Sequence, residues 1–302
     1  MLLVTGITGH SGRYFLQELI KIKYEGPIRC IVRQTSDTSL IDNSGLKIEK
    51  VVGNLDDQEF IERAMVGVDT VIHIYNIHYS PVIVEAAIRN NVKRAILVHT
   101  TGIYSNFKKA SQEYKNIEKA ILELAKDKKC TTSITILRPT MIYGDLCDHN
   151  MSKFIKLIDK FRVLPVINGG KNLIQPVNAR DLGKTYLSVL MSPDKTDGRI
   201  YDISGEKPIK MIDAFKLISK ELNKKTIFIN VPLSLGVFIA NVIKILSLGR
   251  INFVEKVQRM GEDRCYPHDA ATKDFGYNPI PFEEGIHIEV QEYLKKKSCL
   301  DR

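Results

Sequence analysis

A glycine-rich turn near the N-terminus constrains this chain more than any other feature. Residues Thr5–Gly12 have the sequence TGITGHSG, so Gly6, Gly9 and Gly12 follow the spacing GxxGxxG. An apolar, strand-like stretch precedes the turn, and a helical pattern over 11–24 follows it. Glycines at such a turn let the backbone bend tightly and approach a pyrophosphate at the positive end of the helix dipole. The turn therefore predicts a dinucleotide phosphate loop.

Strand-like and helix-like segments alternate through the first half of the chain. Parallel strands need crossover connections of about this length, and helices then cover both faces of the sheet. The sequence predicts an α/β fold, a Rossmann-type doubly wound parallel sheet. The predicted strands are 1–5, 28–33, 47–52, 70–75, 94–99 and 133–137, and the predicted helices are 11–24, a segment capped by Asp56 or Asp57 that ends near 65, 81–91 and 111–126.

The alternation becomes less regular after Arg138-Pro139, which predicts a smaller C-terminal α/β lobe for substrate. We expect a Rossmann domain over 1–145 and this lobe over 146–302, with the chain crossing back to the first domain around 174–204. The apolar segment 231–248 predicts an amphipathic or buried helix; it is too polar to span a bilayer, so we expect no stable membrane insertion. The other predicted helices are 150–160, 179–191, 211–223 and 282–296, and the predicted strands are 174–177, 199–203 and 226–231.

The charge and cysteine content exclude several classes of function. The net charge is +9, from 44 Lys+Arg against 35 Asp+Glu, without a long basic block. This charge suits a phosphate-bearing cofactor and substrate, whereas no motif or basic–aromatic pattern indicates nucleic-acid binding. Five scattered cysteines without CxxC, and no HExxH, predict neither disulfides nor a metal site. With no signal peptide apparent, we expect a soluble, cytoplasmic protein.

The end of the second predicted strand bears on the choice of cofactor. An acid there usually binds a free ribose, whereas an arginine accommodates a 2′-phosphate. The residues are Ile31-Val32-Arg33-Gln34, without an acid. NADP is therefore favoured over NAD, with Arg33 as the phosphate contact and Arg13 as an assisting cation. The alternative is that Arg33 is only a solvated strand end.

Seven short motifs resemble those of the NAD-dependent epimerase/dehydratase family, a branch of the extended or atypical short-chain dehydrogenase/reductases with a Rossmann fold. The resemblance covers nearly the whole chain. The motifs are Thr5–Gly12, Gly53–Asp56, Val71–His73, His99–Tyr104, Arg138–Gly144, Arg180–Leu182 and Phe275–Pro279.

The resemblance implies an oxidoreductase that uses NAD(P) to epimerise, dehydrate or reduce a nucleotide-sugar or another small carbonyl or hydroxyl compound. It also implies a homodimer formed through the helices 81–91 and 111–126. The loop pattern and the resemblance together predict these cofactor contacts: Gly6, Thr8, Gly9, His10, Ser11, Gly12, Arg13, Arg33, Asn54, Leu55, Asp56, His73, Arg138 and Pro139.

The catalytic helix departs from the family pattern. The resemblance implies a tyrosine and a lysine four residues later, on one helix face. Tyr114 is suitably placed, but Glu118 occupies the later position, and Lys119 lies about 140° around the helix from Tyr114. A carboxylate near Tyr114 raises the phenol pKa rather than lowering it. Tyr114 remains the candidate proton carrier.

Two further groups are candidates for the catalytic site. Thr100 or Thr101 follows the fifth strand and can supply the substrate-binding hydroxyl that the resemblance implies. Lys108 lies four residues after Tyr104 in a loop, from which it could reach the site, although this spacing is weaker evidence.

Two functions stay open at this point. One is the oxidoreductase described above. The other is a catalytically atypical NAD(P)-binding sensor or structural subunit, which the missing Tyr–Lys pair favours.

Overall fold

The structure is a computed structural model that describes residues 1–126, 130–148 and 150–300. Its elements alternate between strand and helix through the first half, as the sequence predicts. The strands are β1 (Leu2–Thr5), β2 (Ile28–Val32), β3 (Ile48–Val52), β4 (Thr70–His73), β5 (Arg94–Val98), β6 (Ser133–Pro139), β7 (Ile142–Tyr143), β8 (Val163–Ile167), β9 (Leu173–Ile174), β10 (Val177–Asn178), β11 (Ile200–Ile203), β12 (Ile209–Lys210) and β13 (Ile227–Val231).

The helices are mostly short and connect these strands. They are α1 (Gly12–Lys21), α2 (Ser39–Asp42), α3 (Gln58–Met65), α4 (Ser80–Arg89), α5 (Ser111–Leu124), α6 (Met151–Lys160), α7 (Ala179–Met191), α8 (Pro193–Thr196), α9 (Met211–Glu221), α10 (Leu233–Leu246), α11 (Val254–Arg259), α12 (Asp269–Phe275) and α13 (Phe282–Leu300).

The main sheet has seven strands in the order β11-β6-β5-β4-β1-β2-β3, and every neighbouring pair is parallel. The order reverses direction at β1: the chain continues from β1 to β2 on one side, whereas β4 lies on the other side. The connections that follow β1 and β4 therefore leave the sheet in opposite directions. This topology confirms the predicted doubly wound Rossmann-type fold. Ligands of such sheets bind in the crevice at this reversal.

Helices cover both faces of the sheet because β1 and its neighbours are apolar on both sides. On one face, Phe15 and Leu16 of α1 pack with Tyr186 of α7. On the other face, Ile83 of α4 and Ile121 of α5 pack against the strands. The central strands are therefore enclosed, and only their ends are free to form a site.

Local sequence signals position α3 as predicted. Of the two acids considered as its cap, Asp57 is the one used: its side chain accepts a 3.0 Å hydrogen bond from the backbone N–H of Phe60. This cap leaves Asn54 and Leu55 in the turn before the helix, at the carboxyl end of β3.

The second lobe has its own core, to which Met151 and Ile155 of α6, Phe215 of α9 and Ile286 of α13 contribute. The chain returns to the large sheet through α7, which packs on α1, and through β11. The division into 1–145 and 146–302, with a crossing around 174–204, stays our proposal for the domain boundary.

The predicted strand 174–177 is divided in the structure. Leu173–Ile174 pairs with β12, whereas Val177–Asn178 pairs with β7. Pro176 separates the two pieces, and proline has no N–H to donate to a strand ladder. The carbonyl of Gln175 instead accepts hydrogen bonds from Thr140 Oγ1 and from Gly205 N.

The predicted apolar helix forms as α10, and of the two alternatives, amphipathic or buried, the structure excludes a buried helix. Among the residues of α10, only Gly236 and Ala240 are buried, while Phe238, Ile245 and Leu246 are exposed. No helix within the described residues is both long and apolar enough to cross a membrane.

Candidate functional site

The glycine turn between β1 and α1 is closed by backbone hydrogen bonds and has no room for side chains. Gly6 has a φ of 75°, and its carbonyl accepts a 2.9 Å hydrogen bond from Gly9 N. A Cβ on Gly12 would lie 2.1 Å from the Gly6 oxygen, and a Cβ on Gly9 would lie 3.0 Å from it. The turn thus forms a backbone cradle at the N-terminus of α1, which fits a pyrophosphate.

His73 is hydrogen-bonded to the first residue of this turn, Thr5. The Thr5 hydroxyl donates to His73 Nδ1 over 2.6 Å, and His73 Nε2 donates to the Asn76 carbonyl over 2.9 Å. Burial lowers the pKa of His73 to about 4, so the ring is neutral. His73, predicted as a cofactor contact, is fully buried with both nitrogens occupied. Ser11, also predicted, turns its hydroxyl to Tyr186 at 3.0 Å.

A cavity of about 250 Å³ lies beside the turn at the ends of β1, β2 and β3. It brings together many predicted cofactor contacts with two tyrosines that sequence reasoning missed. Its main lining residues are Gly6, Thr8, Gly9, Arg33, Asn54, Leu55, Tyr75 and Tyr79.

Aromatic and cationic side chains form one wall of this cavity. The rings of Tyr75 and Tyr79 are stacked with centroids 5.7 Å apart, and the Arg33 guanidinium lies 5.8 Å from the Tyr75 centroid. Desolvation and a hydrogen bond with Asp56 raise the pKa of Tyr79, which places Asp56 at the same rim. This wall suits an adenosine, because Tyr75 offers a ring face on which the base would stack and Arg33 offers a cation beside it. The aromatic positions directly after β4 were the signal available in the sequence.

His10 and Arg13 lie on the other side of the turn. Arg13 forms an ion pair with the buried Asp145, and His10 Nε2 approaches Asp145 Oδ1 at 2.6 Å. Burial lowers the pKa of His10 to about 4. These two predicted cofactor contacts therefore attach the turn to the segment after β7, and Arg13 does not line the cavity that Arg33 lines.

A larger cleft of about 520 Å³ lies between the turn, the end of β5 and the second lobe. It contains the predicted residues Thr100, Thr101, Lys108 and His10. The residues that sequence reasoning missed come from the second lobe, and they include Gln175, Arg259, Arg264 and Tyr266.

Lys108 lines this cleft. Burial, with a smaller effect from Arg259, lowers the pKa of Lys108 to about 8. A Cβ on Gly102 would be 2.7 Å from Lys108 Nζ, so the glycine leaves room for the ammonium group. The Thr100 hydroxyl oxygen accepts a 3.0 Å hydrogen bond from Gly102 N, and it therefore lies on the same short turn. Lys108 is an amine that can change its charge near neutral pH.

Tyr114 lies beside the cleft rather than in its lining. Its ring centroid is 4.6 Å from Lys108 Nζ and 5.6 Å from the ring of His78. Burial and the charge of Glu113 raise the pKa of Tyr114. The surroundings of Tyr114 therefore do not favour a phenolate.

Glu118 points into the protein and not toward the cleft. Its carboxylate pairs with Arg138 and accepts a 3.0 Å hydrogen bond from His99 Nδ1. Burial opposes its charge, but the bonds to His99 and Arg138 outweigh burial and keep the pKa of Glu118 below its ordinary value. His99 is neutral, since burial lowers its pKa, and its Nε2 is 3.0 Å from Ser80 Oγ. The residue four positions after Tyr114, Glu118, thus forms a buried ion pair with Arg138 that has a structural role.

Arg138 and Pro139 also belong to this network. Arg138 donates to Tyr104 Oη over 2.6 Å, and Tyr104 Oη is in turn 3.1 Å from Asp202. The Pro139 carbonyl accepts a 3.3 Å hydrogen bond from the Thr101 hydroxyl. The structure therefore uses Arg138, a predicted cofactor contact, to join β6 to α5.

The second lobe makes the cleft cationic. Burial, with the charge of Arg259, lowers the pKa of Arg264 to about 10. The Nε atoms of Arg259 and Arg264 lack hydrogen-bond partners within the described part of the chain. With Lys108, these groups can hold an anion such as a phosphate. No signal marked them in the sequence, because they follow α10 in a segment without periodicity. The described residues contain no cluster suited to a metal ion.

Comparisons with known proteins agree with this architecture. The model of the NmrA-like family matches residues 1–270. The dTDP-glucose 4,6-dehydratase of Streptomyces venezuelae, solved with NAD bound, is 17% identical with a TM-score of 0.74, covering 98% of both chains. The UDP-glucose 4-epimerase of Thermotoga maritima is 17% identical with a TM-score of 0.74, covering 98% of this chain and 99% of that one. The triphenylmethane reductase of Citrobacter, complexed with NADP(H), is 17% identical with a TM-score of 0.73, covering 96% of this chain and all of that one (100%).

One curated relative has a different description. The 40 kDa subunit of mitochondrial NADH-ubiquinone oxidoreductase from Neurospora crassa is 23% identical over 162 residues. The match covers 53% of this chain and 41% of that protein, so the chain matches less than half of the length of its curated relative.

Proposed function

The chain belongs to the NmrA-like family, and we propose that it is an NAD(P)-dependent oxidoreductase of the epimerase, dehydratase or reductase kind. The proposed substrate is a small hydroxyl or carbonyl compound that carries phosphate, such as a nucleotide-sugar. One observation carries the proposal: the cationic cleft and the cavity lined by Arg33 lie on either side of the same glycine turn.

The cavity beside the turn supports dinucleotide binding. The cradle formed by Gly6, Gly9 and Gly12 would hold the pyrophosphate, and Tyr75 would pack against the adenosine half. Arg33 would bind a 2′-phosphate, which favours NADP over NAD. A nicotinamide cofactor supplies hydride transfer when bound.

The cleft supplies groups for a substrate. Thr100 or Thr101 can hydrogen-bond a substrate oxygen, and Lys108, with its pKa near 8, can donate or accept a proton there. Arg259 and Arg264 would bind the substrate phosphate. In this proposal Lys108 performs the proton transfer that a Tyr–Lys pair performs in the related enzymes, while Tyr114 packs against its ammonium group.

The first test is a fluorescence titration of the nucleotide-stripped protein with NADPH and with NADH. We expect tighter binding of NADPH, and we expect Arg33→Ala to remove the difference between the two. Tight NADH binding without a preference for NADPH would contradict the role of Arg33. No binding of either would contradict the oxidoreductase.

The second test is a screen of nucleotide-sugars and small carbonyl compounds for cofactor-dependent turnover. Lys108→Met should lower kcat by roughly 10²- to 10⁴-fold, as expected for loss of general acid–base catalysis, with NADPH affinity unchanged within a few-fold. The matched control is Lys109→Met in the same loop. If Tyr114→Phe abolishes turnover and Lys108→Met does not, Tyr114 is the proton carrier instead.

A second candidate function is a catalytically silent NAD(P)-binding subunit or sensor. Two observations favour it: Glu118 is committed to Arg138 where a catalytic lysine is expected, and the curated relative is described as a subunit of a larger complex. NADPH binding without turnover in the whole screen, together with a change of partner or shape on binding, would support this function.

The homodimer and the cytoplasmic location remain proposals. The predicted dimer helices, α4 and α5, pack side by side on one face of the sheet. The exposed positions of α5 include Glu113, Lys115 and Glu123, so a dimer formed there would rely on charged contacts. Light scattering of the purified chain tests the dimer.

A further inference from the structure

An apolar surface extends across part of the second lobe, on residues that line neither cavity of the proposed site. It begins on the two-stranded sheet of β8 and β13, in which Ile227 pairs with Val163 and Ile229 with Pro165. Side chains alternate along a strand, so these four residues share one face. Val163 is 48%, Ile227 62% and Ile229 51% exposed. This sheet therefore presents an apolar face to solvent.

Helix α10 continues this surface, because its small residues face the protein and its large apolar residues face outward. Gly236 and Ala240, one turn apart, are its buried residues. A Cβ on Gly236 would lie 2.6 Å from Ile167 Cδ1, so the helix approaches β8 more closely than a larger residue would allow. On the outer side, Phe238 is 65% and Ile245 72% exposed.

The two parts are continuous. Ile167 pairs with Val231 at the end of the sheet and contacts Gly236 at the start of the helix. We call this surface the apolar face and define it by its main members, Val163, Ile227, Ile229, Phe238, Ile245 and Leu246. A contiguous exposed apolar surface marks a site of interaction with another molecule or with a membrane.

The charged side chains in the chain segment that carries β13 and α10 are all positive. From residue 224 to residue 254 the chain contains no Asp or Glu, but it contains Lys224, Lys225, Lys244 and Arg250. Lys224 pairs with Asp159, whereas Lys225, Lys244 and Arg250 are exposed. An apolar surface flanked by cations complements a membrane with anionic headgroups.

A second copy of this chain would be a poor occupant. Self-association through the apolar face would bring Lys244 and Arg250 of two copies close together, and like charges across an interface are unfavourable. The net charge of +9 adds to this repulsion.

A cavity of about 410 Å³ also favours lipid over protein. Its lining includes Leu157, Phe161, Val163 and Ile167. Val163 is part of the apolar face, and Ile167 joins its two halves, so the cavity is continuous with the surface. An acyl chain can enter such a cavity, which a flat protein surface would leave empty.

We propose that the apolar face lies on the surface of an anionic lipid bilayer, with Lys225, Lys244 and Arg250 at the level of the headgroup phosphates. The 14 residues of α10 extend about 21 Å, less than the hydrocarbon thickness of about 30 Å. The contact is therefore interfacial, with α10 parallel to the membrane plane.

Vesicle flotation of the full chain tests this proposal. We expect binding to vesicles of phosphatidylcholine with phosphatidylglycerol, weaker binding to pure phosphatidylcholine, and a decrease with added salt. The double variant Phe238→Ser/Ile245→Ser should bind at least tenfold more weakly, and Lys244→Glu/Arg250→Glu should bind the anionic vesicles more weakly. Both variants should keep the wild-type circular dichroism and thermal midpoint, because the altered side chains are exposed.

The matched control changes two equally exposed apolar residues elsewhere. Val66 and Met191 are 62% and 60% exposed and lie outside the apolar face, so Val66→Ser/Met191→Ser should bind vesicles like the wild type. Binding to neither vesicle, or equal binding by the Phe238→Ser/Ile245→Ser variant, would overturn the proposal. A dimer in light scattering that this variant abolishes would assign the face to a second copy instead. NADPH titration of each variant separates these outcomes from failure of the proposed cofactor site.

Discussion

Glu118 occupies the position at which the resemblance in sequence implies a catalytic lysine. Here the carboxylate is buried and bound by His99 and Arg138. Each partner lies about 20 residues from Glu118 in the chain, His99 before it and Arg138 after it. The ion pair with Arg138 and the hydrogen bond from His99 therefore connect α5 to β6 and to the residue directly after β5.

A lysine at position 118 would not restore a catalytic pair. Glu118→Lys would place a second cation beside Arg138 and leave His99 without its acceptor. Removing one partner of a buried ion pair costs about 3 to 5 kcal/mol, and we expect the free energy of unfolding in urea to fall by about this amount. Glu123→Lys, on the exposed side of the same helix, should change it by less than about 1 kcal/mol. A Glu118→Lys variant as stable as the wild type would show that the pair is not structural.

Glu289 is a buried carboxyl group that holds its proton in the folded state. Burial, followed by the hydrogen bond and charge of Asp148, raises its pKa to about 9. Asp148 accepts hydrogen bonds from the backbone N–H groups of Asn150 and Ser152, which favours the proton on Glu289. Between pH 4.5, the ordinary pKa of glutamate, and about 9, unfolding therefore releases a proton.

The free energy of unfolding should consequently decrease as the pH rises through this range, by up to about 1.4 kcal/mol per pH unit from this group. Glu289→Gln retains a donor for Asp148 but cannot ionise, so its stability should decrease less between pH 5.5 and 8.5. The measurement is urea unfolding at several pH values. The control Glu284→Gln, exposed on the same helix, should keep the wild-type slope. Parallel curves for wild type and Glu289→Gln would contradict the raised pKa.

At the scale of elements, the turn from β1 to α1 contributes both to the stability of the fold and to the proposed binding of NADPH. Gly12→Ala would place a methyl group 2.1 Å from the Gly6 oxygen, so the turn or the start of α1 must move. We expect NADPH to bind at least roughly tenfold more weakly, a loss of about 1.4 kcal/mol, with a lower melting temperature. The control Gly45→Asn lies in open space at a φ of 71°, which asparagine tolerates. Unchanged NADPH affinity in Gly12→Ala would place the phosphates elsewhere.

The elements of the first domain could be predicted because their signals are local. The central strands β1, β4 and β5 are short, mainly apolar runs between turns, and Asp57 caps α3 as its sequence suggests. Helix α10 could be located from its sequence, but whether it is amphipathic or buried stayed open, because apolar residues occur nearly all around it. Only its neighbours show that Gly236, and not Phe238, faces the lobe.

The residues of the candidate site also fall into two groups, those that the sequence could predict and those that it could not. The glycines lie together in the turn between β1 and α1, and Arg33 directly follows β2, so local patterns can identify both. Arg259 and Arg264 come from a different lobe, and folding alone brings them opposite Lys108. A long-range contact of this kind has no local pattern from which it could be predicted.

At the scale of the whole molecule, the two lobes share contacts that should make them unfold together. The Ser105 hydroxyl of the first domain donates a 2.7 Å hydrogen bond to Glu262 of the second lobe, and Asp181 of α7 accepts a 2.9 Å bond from Ile280 N. The main sheet itself contains β11, which follows α7 in the chain. Unfolding the second lobe alone would expose these buried groups.

We therefore expect one calorimetric transition for the whole chain, and NADPH should shift it as a unit. At a concentration 100 times its Kd, a ligand that binds only the folded state adds about 2.7 kcal/mol to the free energy of unfolding. Arg33→Ala, measured at the same NADPH concentration, should shift less because its affinity is lower. Two transitions, of which NADPH moves only one, would contradict this coupling: the second lobe would then unfold independently, and cofactor binding would not help to hold Arg259 and Arg264 over the cleft.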